Sequence, residues 1–263
     1  MTAVPLEFGS LGRPGNPPLI IMHGLLGSSR NWISVGKLLA EYFNVFVLDL
    51  RNQGNSPHVD SMHYNDMVDD LIYWLEDKDI GKFYLLGHSL GGKVAMTYAC
   101  THPERLLGLI VEDMAPKQYP LRYEVEFNAM NSLDLESLKT RTDADEALKS
   151  QIPDWAWRQF ILTNLMRGKD NKFHWQINLK SLTKWLPEIM KNPLKQTDNY
   201  KGPTLFLRGV NSDYITDADY PAIHKYFPNS SITLIEHSGH NVHIDNTEGL
   251  VNAVKAFAKE IDS

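Results

Sequence analysis

Gly87-His88-Ser89-Leu90-Gly91-Gly92 is the stretch that decides the fold of this chain. The apolar run of residues 83–86 precedes it and indicates a strand, and the helix-forming residues 93–99 follow it. This order of strand, Gly-x-Ser-x-Gly and helix is typical of a nucleophile elbow. Its glycines leave room for neighbouring chain at a tight, strained turn. The motif therefore predicts a serine hydroxyl raised above the sheet edge, beside a helix start that stabilises negative charge.

The surroundings of this motif matter, because the pentapeptide also arises by chance in glycine-rich loops. Here a strand comes directly before it and a helix directly after it. In addition, the dipeptide His23-Gly24 follows an earlier apolar strand. A chance match would lack these three features, so the sequence predicts that Ser89 is a nucleophile and the chain a serine hydrolase.

Length and composition predict one soluble globular domain with an insertion. The chain has 263 residues, of which 43% are hydrophobic and 22% are charged. These fractions are ordinary for a globular protein. No run approaches the roughly 18 apolar residues that a membrane span requires, so stable membrane insertion is not expected.

Charge and cysteine usage limit the partners and the compartment. The net charge of -6 and the pI of about 5.9 offer no basic field for nucleic acid, which we exclude as a partner. The amino terminus has no basic residue before an apolar stretch, which argues against a secretory signal. The single cysteine, Cys100, fits a reducing compartment, and we expect a cytoplasmic protein. The sequence leaves the oligomeric state open.

Apolar runs alternate with helical segments in the first half of the chain. Runs at 19–22, 45–48, 83–86 and 107–111 predict strands of a parallel sheet that is covered on both faces. This pattern predicts an α/β fold with a mostly parallel, doubly wound sheet.

The alternation stops after Pro116, where polar helical stretches dense in aromatic residues begin. It resumes with apolar runs at 204–207 and 232–235. We therefore predict an α/β core made of residues 1–115 and 202–263. Residues 116–201 are predicted to form an inserted helical cap.

A serine nucleophile needs a base within hydrogen-bond reach, and His240 is the predicted base. In the chain order serine, acid, histidine, the histidine lies on the loop after the last strand. His240 follows the predicted strand 232–235 in the flexible turn Ser238-Gly239-His240. His237 lies too near that strand, and His243 lacks the preceding glycine.

Two aspartates compete as the acid that orients this base. Asp113 follows the strand 107–111 beside the nucleophile strand, and we favour it. Asp213 follows the next strand, where most proteins of this architecture carry the acid three residues after a glycine. Counted from Gly209, that position holds Ser212, and Asp213 comes one residue late. Asp213 stays the alternative acid.

The loop His23-Gly24-Leu25-Leu26-Gly27 follows a strand and matches a loop that supplies an oxyanion-hole amide. The predicted donors are the backbone N–H groups of Leu25 and Leu90. His23 itself is interpreted as structural and bonded to nearby backbone.

Cofactor and metal signatures are not found in the sequence. The segment 49–56 lacks the Gly-Lys-Ser/Thr ending of a nucleotide loop and is interpreted as a hydrogen-bonded turn. The sequence has no HExxH, paired CxxC or calcium loop, so we predict no metal and no cofactor.

These motifs resemble the α/β-hydrolase superfamily, and more narrowly the bacterial YbfF esterase group, which is related to abhydrolase-domain-11 proteins. The segments that carry the likeness are 23–28, 49–56, 87–93 and Glu112-Asp113-Met114-Ala115-Pro116. The resemblance implies hydrolysis of acyl esters and extends to acyl-CoA thioesters. It also implies an acid after the sixth strand of the family fold, which matches Asp113.

The implied reaction proceeds through an acyl-enzyme on Ser89, with the cap covering a small-molecule acyl ester or thioester. Two alternatives stay open: the same triad used for carbon-carbon hydrolysis or elimination, and a ligand-binding receptor without turnover. Arg122, Arg158 and Arg167 could meet a phosphate-bearing leaving group, but we favour a solvated helical face for them.

Overall fold

The computed structural model describes residues 3–262, and its centre is a seven-stranded sheet. The strands of the sheet are β1 Phe8–Leu11, β2 Pro18–Met22, β3 Asn44–Leu48, β4 Phe83–His88, β5 Leu106–Glu112, β8 Thr204–Gly209 and β9 Ser230–Ile235. Their spatial order is β1-β3-β2-β4-β5-β8-β9. Six of these strands are parallel, and β1 at one edge runs antiparallel to β3. The predicted α/β fold with a mostly parallel sheet is confirmed.

Helices flank the sheet and also fill the segment between β5 and β8. The helices are α1 Ile33–Leu39, α2 Tyr64–Asp77, α3 Leu90–Thr101, α4 Glu124–Ser132, α5 Arg141–Leu148, α6 Trp155–Leu162, α7 Leu179–Ile189, α8 Tyr220–Tyr226, α9 Val242–Asp245 and α10 Thr247–Asp262. No helix within residues 3–262 combines the length and the apolar character needed to cross a bilayer.

The sheet buries both of its faces, as the continuous apolar runs predict. Along β2, Ile20 and Met22 join one apolar cluster, whereas Leu19 and Ile21 join another on the opposite face. Successive side chains of a strand point to opposite faces, so an all-apolar strand needs cover on both. Helices supply this cover, which gives the doubly wound architecture.

The segment between β5 and β8 is less purely helical than the sequence predicts. It contains α4 to α7, but also an antiparallel hairpin of β6 Leu165–Arg167 and β7 Phe173–Trp175. Strands of three residues are too short to show an alternating pattern, which is why the aromatic-rich sequence did not reveal them.

The boundaries between the predicted core and the predicted cap stay a prediction. Phe127, Ile161 and Leu182 of the inserted segment belong to the same buried cluster as Leu85 of β4. The two predicted units therefore share one apolar core. Residues 1–2 and 263, at the ends of the predicted core, lie outside the described residues.

The parallel strands β4 and β5 end side by side and position the candidate residues. His88 pairs with Glu112 in the sheet register, and the Ser89 N–H donates to the Glu112 carbonyl at 3.3 Å. The next residues, Ser89 and Asp113, therefore leave the sheet at the same edge. The loop after β9 carries His240.

Candidate active site

Ser89 lies in the turn between β4 and α3 with a backbone conformation that non-glycine residues rarely adopt. Its φ is 52° and its ψ is -114°. A Cβ on Gly87 would stand 2.3 Å from the Gly91 carbonyl oxygen, and a Cβ on Gly91 would stand 2.3 Å from that of Met22. Neither glycine leaves room for a side chain, because backbone carbonyl oxygens approach both positions closely. Strain of this kind persists only where the surrounding structure enforces it, and it concentrates at functional sites.

His240 is oriented by a carboxylate and by an aromatic ring. Its Nδ1 lies 2.9 Å from Oδ2 of Asp113. Its ring stacks on that of Tyr214, with centroids 3.5 Å apart and planes 13° apart. Its backbone carbonyl accepts a hydrogen bond from His88 Nε2 at 2.9 Å. These contacts fix both the imidazole and the loop that carries it.

Asp113 is fully buried directly after β5. Its Oδ1 accepts a hydrogen bond from the Gly209 N–H at 3.1 Å, and its Oδ2 accepts one from the Ser212 hydroxyl. Its own N–H donates to the Leu207 carbonyl at 2.8 Å, which holds a backbone with φ of 45°. Ser212, at the third position after Gly209, thus donates to the carboxylate that directly follows β5.

Asp213 lies away from the imidazole-carboxylate contact. Its side chain is 71% exposed and pairs with Arg122, whose Nη2 lies 2.7 Å from Oδ2. The Arg122 hydrogen bond lowers the pKa of Asp213. The Arg122 guanidinium also lies over the Tyr214 ring, 4.5 Å from its centroid. The structure therefore brings Asp113, and not Asp213, into contact with His240.

Burial shifts the pKa values of His240 and Asp113 in opposite directions, because in each group it disfavours the charged form. It lowers the pKa of His240 and raises the pKa of Asp113, while hydrogen bonds from Ser212 and Gly209 lower the pKa of Asp113. Three donors face this carboxyl, counting the His240 ring nitrogen. They favour an ionised Asp113 beside a neutral His240, which is the state of a general base.

The predicted oxyanion loop packs against the start of α3, the helix that follows Ser89. The Gly91 N–H donates to the His23 carbonyl at 3.2 Å, and the Leu26 N–H donates to Gln53 Oε1 at 2.6 Å. Leu25 and Leu90, the two predicted donors, line one cavity together with Ser89. His23 is buried and bonds to the Gly24 carbonyl and the Leu50 N–H, as predicted.

Two cavities meet at Ser89, and Leu25 and Tyr123 also line both of them. The first spans about 460 Å³ and the second about 300 Å³ of space between protein atoms, part of which is open to solvent. The first has a mixed polar and aromatic lining: His23, Gly24, Gly27, Asn31, Trp32, His88, Trp157, Phe160, His240, Asn241 and His243. The second is mostly apolar: Leu90, Lys93, Met114, Tyr119, Ile189, Met190 and Tyr214.

Glu112, His243, Trp32 and His88 form a second buried group next to the candidate residues. The sequence alone did not identify these four residues as a group. Glu112 Oε1 accepts hydrogen bonds from the His243 N–H at 2.7 Å and lies 2.8 Å from His243 Nδ1. The His243 ring stacks on Trp32 at 4.4 Å and meets His88 at 4.9 Å. Glu112 and His88 directly precede candidate residues, and His243 follows His240 by three positions, which is the signal that could have revealed the group.

This buried group is also the place, among residues 3–262, where three ligand atoms of metal-binding type approach within 4.8 Å. His88 Nε2 is already bonded to the His240 carbonyl, and His243 Nδ1 to Glu112. One ring nitrogen of each histidine is therefore already bonded within the protein.

The segment 49–56 forms the hydrogen-bonded turn that the sequence predicts. The Asp49 carboxylate accepts hydrogen bonds from the backbone N–H groups of Ser29 at 2.6 Å and Asn55 at 2.9 Å. The Ser56 hydroxyl donates to the Asp49 carbonyl at 2.6 Å. The turn anchors the loop next to the predicted oxyanion residues.

The three arginines considered for a phosphate group are all engaged with protein atoms. Arg158 is buried and its Nε lies 2.6 Å from Asp145, so a solvated face was the wrong interpretation for it. Arg167 donates to Asn171 at 2.6 Å, and Arg122 pairs with Asp213.

The fold and this site define a hydrolase, and comparisons with known proteins agree. A family model described as alpha/beta hydrolase fold matches residues 17–247. A solved structure described as a marine microorganism esterase has a TM-score of 0.94 at 35% identity, covering 97% of this chain and 100% of that chain. The chain belongs to the α/β-hydrolase fold family.

Similar sequences show which group within this family the chain resembles. The Danio rerio protein named sn-1-specific diacylglycerol lipase ABHD11 is 35% identical over 254 residues, covering 94% of this chain and 80% of the relative. Escherichia coli Esterase YbfF is 28% identical over 246 residues, covering 93% of this chain and 94% of the relative. The resemblance to this group is confirmed, the chain is a hydrolase enzyme, and its relatives support ester hydrolysis.

Proposed function

We propose that this enzyme is a serine-dependent carboxylester hydrolase with Ser89 as nucleophile, His240 as base and Asp113 as the orienting acid. The observation that carries the proposal is the 2.9 Å contact between His240 Nδ1 and Asp113 Oδ2. It belongs to an imidazole that shares a cavity with the strained Ser89. Nucleophile, base and orienting acid together make up the set that acyl transfer requires.

In the first half-reaction, the Ser89 oxygen attacks the ester carbonyl carbon while His240 Nε2 takes the hydroxyl proton. The carbon-oxygen bond to the alcohol then breaks, and His240 gives that proton to the leaving oxygen. In the second half-reaction, water gives a proton to His240 and attacks the acyl-enzyme. The acid leaves, and Ser89 regains its proton from His240.

Backbone N–H groups of Leu25 and Leu90 are proposed to bind the oxygen that becomes negatively charged. Removing one such donor typically raises the barrier by about 3 kcal/mol. The aromatic side chains Tyr123, Trp157 and Phe160 line the first cavity and keep bulk water from the reacting ester.

Esters are favoured over the other reactions that this fold supports. A basic cavity wall would favour carbon-carbon hydrolysis, but Arg122, Arg158 and Arg167 are bound to other protein groups. Thioester hydrolysis uses the same steps with sulfur as the leaving atom and stays part of the proposal. A cytoplasmic location also stays a prediction, from the single Cys100.

The test is turnover of p-nitrophenyl esters and acyl-CoA thioesters of several chain lengths, with Ser89→Ala as the control. We expect ester turnover that the substitution abolishes. Turnover that survives in Ser89→Ala would contradict the proposed nucleophile. Saturable ligand binding by a folded wild type without turnover would instead support the receptor alternative.

A further inference from the structure

The two cavities at Ser89 differ in what they offer a bound ester. His240 lines the first cavity, together with polar and aromatic groups. Leu90, Met114 and Tyr119 line the second. An ester at Ser89 has two arms, and the chemistry of the base decides which arm enters which cavity.

The leaving oxygen must receive its proton from His240, so the alcohol arm has to lie on the His240 side. That side is the first cavity. The second cavity, which Leu90 lines, is then left for the acyl arm. Its mostly apolar lining suits a hydrocarbon chain, because burying each methylene is favourable by about 0.8 kcal/mol.

Ile189 and Met190, where α7 ends, are part of the lining of the second cavity. The last carbonyls of a helix have no partner within the helix and need donors from elsewhere. Lys93 supplies them, because its Nζ lies 3.1 Å from the Ile189 carbonyl oxygen, 3.1 Å from that of Met190 and 2.6 Å from that of Lys191. A cation here also meets the negative end of the helix dipole.

The burial and the position of Lys93 suit this contact. It is only 2% exposed, and it is on α3, four residues after Ser89. Its Nζ lies 5.0 Å from the Tyr119 ring centroid, a cation-π distance. A buried ammonium is costly unless its protons are bonded, and here three carbonyls accept them.

Two further bonds hold the same helix end. The Tyr64 hydroxyl donates to the Ile189 carbonyl at 2.6 Å, and the Tyr119 N–H donates to the Met190 carbonyl at 2.9 Å. The wall formed by Ile189 and Met190 is therefore fixed to the core and does not yield easily to a longer chain.

We propose that the acyl group occupies the second cavity and that Lys93 sets its maximum length by holding Ile189 and Met190 in place as the end wall. This inference rests on the proposed ester hydrolysis. Lys93 acts through the helix end, so it is a specificity-determining residue and takes no part in the chemical steps.

The experiment measures kcat/KM for p-nitrophenyl esters from acetate to decanoate in wild type, Lys93→Met and Met190→Ala. The wild type should prefer short acyl chains. Both variants should raise the decanoate-to-butanoate ratio about tenfold, the usual scale for a changed apolar contact. Lys93→Arg, which keeps a cation with several donors, should stay near the wild-type ratio.

Trp157→Ala is the matched control, since Trp157 lines the first cavity and not the second. It should change the preference among acetate esters of small and large alcohols and leave the acyl ratio unchanged. If Lys93→Met does not fold, Lys93→Gln replaces it in the series.

The outcomes separate the two proposals. No ester turnover by the wild type would reject the proposed function itself. Turnover with a wild-type preference for decanoate, or with unchanged acyl ratios in the Lys93 and Met190 variants, would overturn this inference alone. An acyl ratio altered by Trp157→Ala instead would place the acyl group in the first cavity.

Discussion

At the scale of single residues, the choice between two aspartates decides how the site works. Asp113 is buried and bonded to His240, whereas Asp213 is exposed and paired with Arg122. An exposed ion pair of this kind contributes about 0–1 kcal/mol. The two carboxylates, although both near the same sheet edge, should therefore respond very differently to substitution.

Asp113→Asn should lower kcat by roughly 10⁴-fold, because an amide no longer holds the imidazole in the tautomer that accepts the serine proton. Asp213→Asn should change kcat by less than about threefold, in line with an exposed pair. Steady-state kinetics on p-nitrophenyl acetate with both variants checks this. Equal losses, or the reverse order, would overturn the assignment of the acid.

His243→Ala should lower the free energy of unfolding by about 3 kcal/mol, because it leaves the Glu112 carboxylate buried without its ring partner. It also removes the ring that stacks on Trp32 at 4.4 Å. His174→Ala, at an exposed position, is the control and should cost less than about 0.5 kcal/mol. Urea unfolding measures both, and equal stabilities would show that the buried pair contributes little.

At the scale of elements, the turn from β4 to α3 depends on close backbone packing. Gly91→Ala should destabilise the protein by about 3 kcal/mol or more, because the added methyl would stand 2.3 Å from the Met22 carbonyl oxygen. Gly81→Ala, where nothing lies within 4 Å, is the matched control. Thermal unfolding should show a lowered Tm for the first variant only; a normal Tm for Gly91→Ala would mean that the turn is more adaptable than described.

The contact between α3 and the end of α7 should make acyl selectivity depend on pH. Burial lowers the pKa of Lys93 to about 7 from the ordinary 10.5, so the ammonium loses its proton as the pH rises through that region. A neutral amine has two N–H groups for three carbonyls. Burial raises the pKa of the neighbouring Tyr64 and Tyr119 hydroxyls, which keeps both protonated over this range.

The decanoate-to-butanoate ratio of the wild type should therefore rise between pH 6 and pH 9. Titration of His240 affects both esters equally and cancels in the ratio. Lys93→Met cannot titrate at this position and should show a flat ratio. A rise of the same size in that variant would assign the effect to another group.

At the scale of the whole molecule, the inserted segment and the sheet share an apolar cluster that contains both Leu85 and Ile161. Burial in one continuous cluster predicts that the two parts unfold together. Four of the six tryptophans, 155, 157, 175 and 185, lie in the insertion, so fluorescence reports on it, whereas far-ultraviolet ellipticity reports on the whole chain. Urea curves from the two probes should coincide, and an earlier fluorescence transition would reveal an independently unfolding cap.

The sequence predicts the sheet well because each central strand, such as residues 19–22, is a continuous apolar run. It predicts Ser89 from local turn chemistry, which needs only neighbouring residues. The choice between Asp113 and Asp213 depends on where loops turn in space, and sequence spacing does not contain that. The same holds for the contact of Lys93 with α7, which joins residues nearly a hundred positions apart.

The pairing of β4 with β5 has a consequence for how this enzyme can diversify. Ser89 and Asp113 leave neighbouring strands that are locked by the same backbone ladder, with Ser89 bonded to the Glu112 carbonyl. The loop at 210–216 keeps Ser212 as a donor, but it does not have to carry the carboxylate. Its exposed positions, Val210, Asn211 and Asp213, are open to randomisation in a directed-evolution library, whereas Tyr214 has to keep the ring that stacks on His240. The surface of this loop can therefore drift while the residues at the sheet edge stay in register.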